Sequence, residues 1–239
     1  MKLYHGTSAR IGRLALEQGL RSRKATKTKG NWEHSSLSRI DAIYLSVAYA
    51  PYFAMMTEHE NKIAIIEVES DRLAQKLLVP DEDAIEQASR MAKTDDDGCS
   101  LEWEMKQRTA YYRKNLHRYD DGQWEDSVKL LGNCAYLSSV PAHKITRVAF
   151  LDVRDHKAWA GQCLDPTITV LNYRFVGEKY RLLTSAVFGG EIPPEPEHEK
   201  LIRDQMIALN PNAGKHYKST WDICRELDHT RIKLVTPSK

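Results

Sequence analysis

The sequence predicts an α+β domain, on three observations. Lys62 to Val68 (Lys-Ile-Ala-Ile-Ile-Glu-Val) is rich in β-branched residues and reads as a buried strand. Ala9 to Gln18 places Ile11, Leu14 and Ala15 at helical spacing and stops at Gly19. Residues 81 to 130 carry helical patterns with no strand among them, so they read as an insertion into the sheet rather than as helices alternating with its strands. A chain of 239 residues suffices for one domain and an appendage. No apolar run approaches membrane-spanning length, and the start, Met1-Lys2-Leu3-Tyr4-His5, has no apolar signal region. A cytoplasmic protein is expected.

In chain order, Lys2 to Tyr4 is expected to be a first strand that stops at a Gly turn and presents His5, Thr7 and Ser8. The helix Ala9 to Gln18 follows. Residues 21 to 39 are basic and Ser/Thr-rich, with Gly30 and an isolated Trp32, and read as a functional or flexible loop. Ile43 to Leu45 is a strand. Ser46 is placed to cap the next helix, through Tyr49, Tyr52, Phe53 and Met56, which Pro51 either kinks or begins.

Leu77 to Val79 reads as a short strand ended by Pro80. Asp81 to Met91 reads as a helix with acids in its first turn. Ser100 to Tyr119 reads as a second, with Leu101, Met105, Tyr112, Leu116 and Tyr119 close to one face. Asn133 to Leu137 is expected as a strand, then a Val140-Pro141 turn and a return strand from Ile145 to Leu151. Asp165 to Tyr173 and Tyr180 to Phe188 read as further strands or buried segments. The acidic, Pro-rich Ile192 to Glu199 leads into a helix from His198 to Leu209, a helical piece from Trp221 to Leu227 and a strand-like Ile232 to Val235. The expected division is 1–190 and 191–239.

Cys99, Cys134, Cys163 and Cys224 have neither zinc-ligand spacing nor the density of a disulfide framework, and the nine histidines show no His-x-x-x-His pair. No metal site is expected. The net charge of +2 conceals two basic clusters. One is Arg21, Arg23, Lys24, Lys27 and Lys29. The other is Lys106, Arg108, Arg113, Lys114 and Arg118, interleaved with aromatics in the way that suits phosphates and stacked bases of a single-stranded nucleic acid.

Three stretches share a family likeness. Leu3-Tyr4-His5-Gly6-Thr7-Ser8, then Glu17-Gln18-Gly19-Leu20-Arg21, then Asp41-Ala42-Ile43-Tyr44-Leu45-Ser46 together resemble the NAD-using ADP-ribosyltransferases of the diphtheria-toxin and poly(ADP-ribose) polymerase type. The strand to Val140-Pro141 is a further likeness, shared with the RNA 2′-phosphotransferases. The resemblance covers about the first 150 residues. It implies a split mixed β-sheet core with a helical insertion at about 81–130 and a mostly helical C-terminal extension. It also implies that His5 holds the adenosine-side ribose, that the Gly6 backbone clamps the nicotinamide amide, that Tyr44 stacks on the nicotinamide ring, and that Ser46 lies nearby. Thr7, Arg21 and Tyr52 join the NAD-binding set on the same resemblance.

Breaking NAD at its nicotinamide ribosyl bond passes through an oxocarbenium-like ribose, which needs positioning and stabilisation of positive charge. The family commonly supplies a glutamate for this. Here the matching place falls at or near Asn133, whose amide can bind a ribose hydroxyl but cannot be a base. Either a glutamate such as Glu104 or Glu125 reaches in, or the acceptor needs no strong base, or activity has been lost.

The basic clusters favour a nucleic-acid acceptor, RNA slightly over DNA, with Lys24, Lys27, Arg108, Arg113, Lys114 and Arg118 as its contacts. The resemblance extends to nucleic-acid-modifying toxins of bacterial toxin–antitoxin phage-defence systems, which implies an antitoxin partner. Two alternatives stay open: an NAD-dependent RNA 2′-phosphotransferase-like enzyme, and a catalytically decayed NAD- or RNA-binding module.

Overall fold

The computed structural model describes residues 1–27, 39–82, 124–164, 173–214 and 218–237. The expected helices of residues 81–119 therefore lie, beyond Glu82, outside the described residues. So do residues 28–38 of the basic loop and residues 165–172.

Seven strands form one sheet. They are β1 (Lys2–Ser8), β2 (Ile43–Ser46), β3 (Lys62–Glu69), β4 (Leu78–Pro80), β5 (Asn133–Tyr136), β6 (Ile145–Asp152) and β7 (Lys233–Val235), in the order β4-β5-β2-β1-β3-β6-β7. Every pairing among the described residues is antiparallel, which corrects the expected mixed sheet. The expected split survives only as a seam. β1 pairs with β3 from Lys2↔Glu69 to Ser8↔Ile63, but with β2 only at Tyr4↔Ser46. The sheet is continuous in order and nearly parted between β1 and β2.

The helices are α1 (Ala9–Gln18), α2 (Arg23–Thr26), α3 (Ala50–Met55), α4 (Trp124–Leu131), α5 (Lys157–Cys163), α6 (Tyr173–Val187), α7 (Glu197–Leu209), α8 (Pro211–Gly214) and α9 (Thr220–Arg225). Both faces of the sheet are covered. Ile63 and Ile65 of β3 belong to a core completed by α3, α5, α6 and α9. Ala64, Ile66 and Val68 belong to a second core with α1, α4 and the inner side chains of β2 and β5. Burial on both faces is why β3 reads as a continuous apolar run.

Several expectations change. β1 does not stop at a Gly turn: it runs through His5, Gly6 and Thr7 to Ser8, whose hydroxyl accepts the Ile11 N–H and caps α1. α1 has its expected limits, and Gly19 ends it at φ +81°, but its buried face is Ala9, Gly12 and Ala15, with Leu14 39% exposed. The short α2 forms within the expected loop. Pro51 begins α3 and does not kink it. Tyr180 to Phe188, expected as strand or buried segment, is mostly α6. Val176, Tyr180, Leu183 and Val187 recur at helical spacing and are all buried, so a helix buries in one stripe what a strand would divide between two faces.

The C-terminal residues enter the main body. β7 pairs with β6 at Val148↔Val235, Ala149↔Leu234 and Phe150↔Lys233, and Trp221 of α9 shares a core with Trp159 of α5, each 1% exposed. Among the described residues no helix is long and apolar enough to cross a membrane, and no group of His, Cys, Asp or Glu could hold a metal ion.

Candidate functional site

The seam between β1 and β2 gathers the residues with chemistry. His5 is partly buried on β1, and its Nδ1 lies 2.9 Å from the backbone oxygen of Tyr44. A carbonyl only accepts, so Nδ1 carries the proton, and the neutral ring keeps Nε2 as an acceptor. Burial lowers the His5 pKa below its ordinary value, opposed by the hydrogen bond to Tyr44. Counting along the antiparallel pair from Tyr4↔Ser46, His5 falls opposite Leu45 and Gly6 opposite Tyr44. The His5 and Tyr44 side chains thus leave their strands toward different faces, and the imidazole reaches the Tyr44 backbone where the ladder lapses.

The Tyr44 phenol is also engaged. Its hydroxyl donates to Glu82 Oε1 and accepts the Arg39 N–H at 2.6 Å, and that N–H lies 3.2 Å from the same carboxylate oxygen. The ring packs with Ala42, Val79 and Ala135. Glu82 follows β4 and is 3% exposed. Arg39 directs its Nε to Asp41 Oδ1 at 3.3 Å.

Ser46 is committed to architecture. It is 2% exposed; its Oγ donates to the Gly132 carbonyl at 3.0 Å and accepts the N–H groups of Ala48 and Tyr49 at 3.0 and 2.7 Å. This ties β2, the start of α3 and the approach to β5 together. Asn133 stands opposite Ser46 in register, and its buried Oδ1 has no hydrogen-bond partner among the described residues. A buried acceptor without a donor is costly, and at the head of a strand it marks where a donor would be welcome. Ser127 of α4 donates its hydroxyl to the Asn133 carbonyl at 2.8 Å and accepts the Asp81 N–H at 2.9 Å. The acidic residues after β4 are thereby held beside the head of β5.

Gly6 is required by close approach. A Cβ there would lie 1.8 Å from the Ala50 carbonyl oxygen, so only glycine lets α3 seat on β1. Gly19 and Leu20 meet the Val-Pro stretch: the N–H and C=O of Leu20 exchange hydrogen bonds of 2.8 Å with those of Val140. Two stretches that share the family likeness are thus in contact.

The remaining expected residues are dispersed. Thr7 is buried in β1, opposite Ala64. Tyr52 is partly buried on α3, edge-on to Phe53 at 5.6 Å between centroids. Arg21 is exposed and donates to the Ala25 carbonyl at 3.2 Å. Lys24 and Lys27 are exposed on and just after α2. Arg108, Arg113, Lys114 and Arg118 lie outside the described residues, as does Glu104. Glu125 is exposed on the first turn of α4.

Sequence reasoning missed two carboxylates. Glu82 had been read as a first-turn helix acid, which left nothing to explain. Glu67 was passed over inside the β3 run, although a charge in such a run is itself a signal. It is 1% exposed and held by Arg147 in a two-pronged pair, Nε to Oε1 at 2.9 Å and Nη2 to Oε2 at 3.0 Å. The Arg147 guanidinium lies 4.7 Å from the centre of the Phe188 ring. Burial first, and the Glu67 charge second, push the Tyr4 phenol pKa well up. Asn133, Ser46, Tyr4, Glu67 and Arg147 are successive partners across five strands, a polar row on one face of the sheet. Set against known families and curated proteins, the sequence matches no family model and no individual relative.

Proposed function

We propose that the chain is an NAD-consuming mono-ADP-ribosyltransferase that releases nicotinamide and modifies nucleic acid, with single-stranded RNA as the favoured acceptor. The observation that supports it best is the seam. His5 is joined through its ring to the Tyr44 backbone where β1 leaves β2 unpaired, and Tyr44 and Asn133 stand on neighbouring strands on the other face of the sheet.

His5 offers Nε2 to a ribose hydroxyl while Nδ1 is fixed on Tyr44. Tyr44 supplies an aromatic wall held by its hydroxyl. Asn133 offers its unpartnered Oδ1 to a second ribose hydroxyl. Fixed groups of this kind hold the nicotinamide ribosyl bond in place while positive charge develops on the sugar. Lys24 and Lys27 place exposed cations on and just after α2 for a polyanionic acceptor. An enzyme that modified its own cell's RNA would be toxic and would need a neutralising partner.

Incubation with NAD labelled in its ADP-ribose half, and with separate pools of RNA, DNA and protein, tests the proposal. Label is expected in RNA, with nicotinamide release that needs no 2′-phosphorylated substrate. A requirement for a 2′-phosphate would assign the chain to phosphotransfer instead. His5→Ala and Tyr44→Ala are expected to abolish labelling in folded protein, and full activity in both would remove the site from the seam. The amide at Asn133 favours one second reading, NAD binding without turnover. Calorimetric binding with no nicotinamide release would establish that.

A further inference from the structure

We propose that Glu82 is the carboxylate of this site, a positioning residue that acts through the Tyr44 hydroxyl; the inference rests on the transferase reading above. Three observations carry it. First, Glu82 is 3% exposed, and a carboxylate is withdrawn from water at a cost that hydrogen-bond donors must offset. Second, two donors converge on one of its oxygens, the Tyr44 O–H and the Arg39 N–H, so Oε1 is aimed at the phenol. Third, it stands beside the head of β5, where the Asn133 amide cannot serve as a base. Pro80 pairs with Cys134, and Ser127 joins the Asp81 N–H to the Asn133 carbonyl. Glu82 follows directly. The carboxyl group that β5 lacks at Asn133 is supplied from the end of the neighbouring strand.

The chemistry then balances. The C1′–N bond to nicotinamide breaks, and its electron pair goes to the ring nitrogen, so nicotinamide leaves neutral. The acceptor, carrying a hydroxyl or amine, forms a bond to C1′ and loses one proton. Tyr44 takes that proton as it passes its own to Glu82, which returns it to water after turnover. Before the transfer, the O–H···O⁻ bond makes the phenol oxygen more negative and so favours the cationic ribose.

The test uses the full chain and NAD alone, with water as acceptor, so that no identified nucleic acid is needed. Nicotinamide release is measured for the wild type, Glu82→Gln, Tyr44→Phe and the double variant. Glu82→Gln is expected to lower kcat by about 100-fold, with KM for NAD changed less than about three-fold. The double variant is expected to be no slower than Tyr44→Phe alone, because one residue works through the other. Glu82→Asp is expected to recover part of the lost kcat, which a role in folding alone would not predict. Full kcat in Glu82→Gln, or losses that multiply in the double variant, would overturn the inference and leave the transferase reading intact. Absence of nicotinamide release from the wild type would overturn both. If Glu82→Gln fails to fold by circular dichroism, Tyr44→Phe decides: lowered kcat with unchanged KM supports the inference, and full kcat overturns it.

Discussion

The two sides of β1 differ sharply. Toward β3 it is paired at each residue from Lys2 to Ser8, and β3 continues into an equally long ladder with β6. Toward β2 it is paired at Tyr4 alone. Backbone polar groups must be satisfied somewhere. On the laddered side the strands satisfy one another, and side chains are left to pack or to form a fixed ion pair such as Glu67 with Arg147. At the seam, side chains do backbone work: the His5 imidazole takes the Tyr44 carbonyl, and the Ser46 hydroxyl holds three backbone groups. The complete ladder makes a scaffold, and the lapse leaves backbone groups for side chains to satisfy.

That contrast sorts mutations by what they damage. The largest effect is expected on the laddered side. Arg147→Met takes the two-pronged partner from the buried Glu67 carboxylate and leaves Lys2, 3.7 Å from its Oε2, as the remaining cation among the described residues, a loss of about 3 kcal/mol, at the low end for a buried pair that loses one partner. Urea unfolding should show that loss, while nicotinamide release per folded molecule stays near the wild-type rate. A loss of activity without a loss of stability would erase the distinction between the two sides.

Ser46→Ala, at the seam, should cost less, about 1–2 kcal/mol, the scale for buried backbone donors that lose their acceptor. The Ala48 and Tyr49 N–H groups would lose their acceptor, and α3 would loosen against Gly6. A midpoint unchanged in urea would show that the backbone there is satisfied by other means.

The smallest effect separates the regions by pH. His156 stands beside α5 on the laddered side, and His5 in the seam; burial lowers both pKa values. Around His156, Asp155, Asp228 and a hydrogen bond with the Arg231 backbone oppose the lowering, while the Arg231 charge adds to it. A histidine with a folded pKa below its unfolded value favours the folded state while neutral. The unfolded chain gains its proton first as pH falls, so this stability is present above about pH 6.5 and is lost as pH falls through the folded pKa. The melting temperature should therefore drop between pH 7.5 and pH 5. His156→Gln and His5→Gln should each remove part of the slope. An unchanged slope in both would place the acid sensitivity elsewhere.

Much of the secondary structure was legible. β3 and β6 announce themselves through β-branched runs, and α1 through its apolar spacing and Gly19. The stretch around α6 was not, because Leu182, Leu183, Val187 and Phe188 are apolar enough for a buried strand, and only the helical phase with Val176 and Tyr180 shows otherwise. In the site, His5, Tyr44 and Asn133 could be singled out from local motifs. Glu82 could not, because its partner Tyr44 is 38 residues away and an acid after a proline has an ordinary local explanation.

By itself the sequence determined β3, the return strand β6 and the limits of α1, since periodicity and glycines act over a few residues. The tertiary structure alone decided which strands lie side by side, that β1 and β2 part after one pair, and that a carboxylate beyond β4 meets a phenol on β2. Those outcomes depend on pairing between segments far apart in the chain. They are set by how two cores close over both faces of one sheet, a balance no short stretch records.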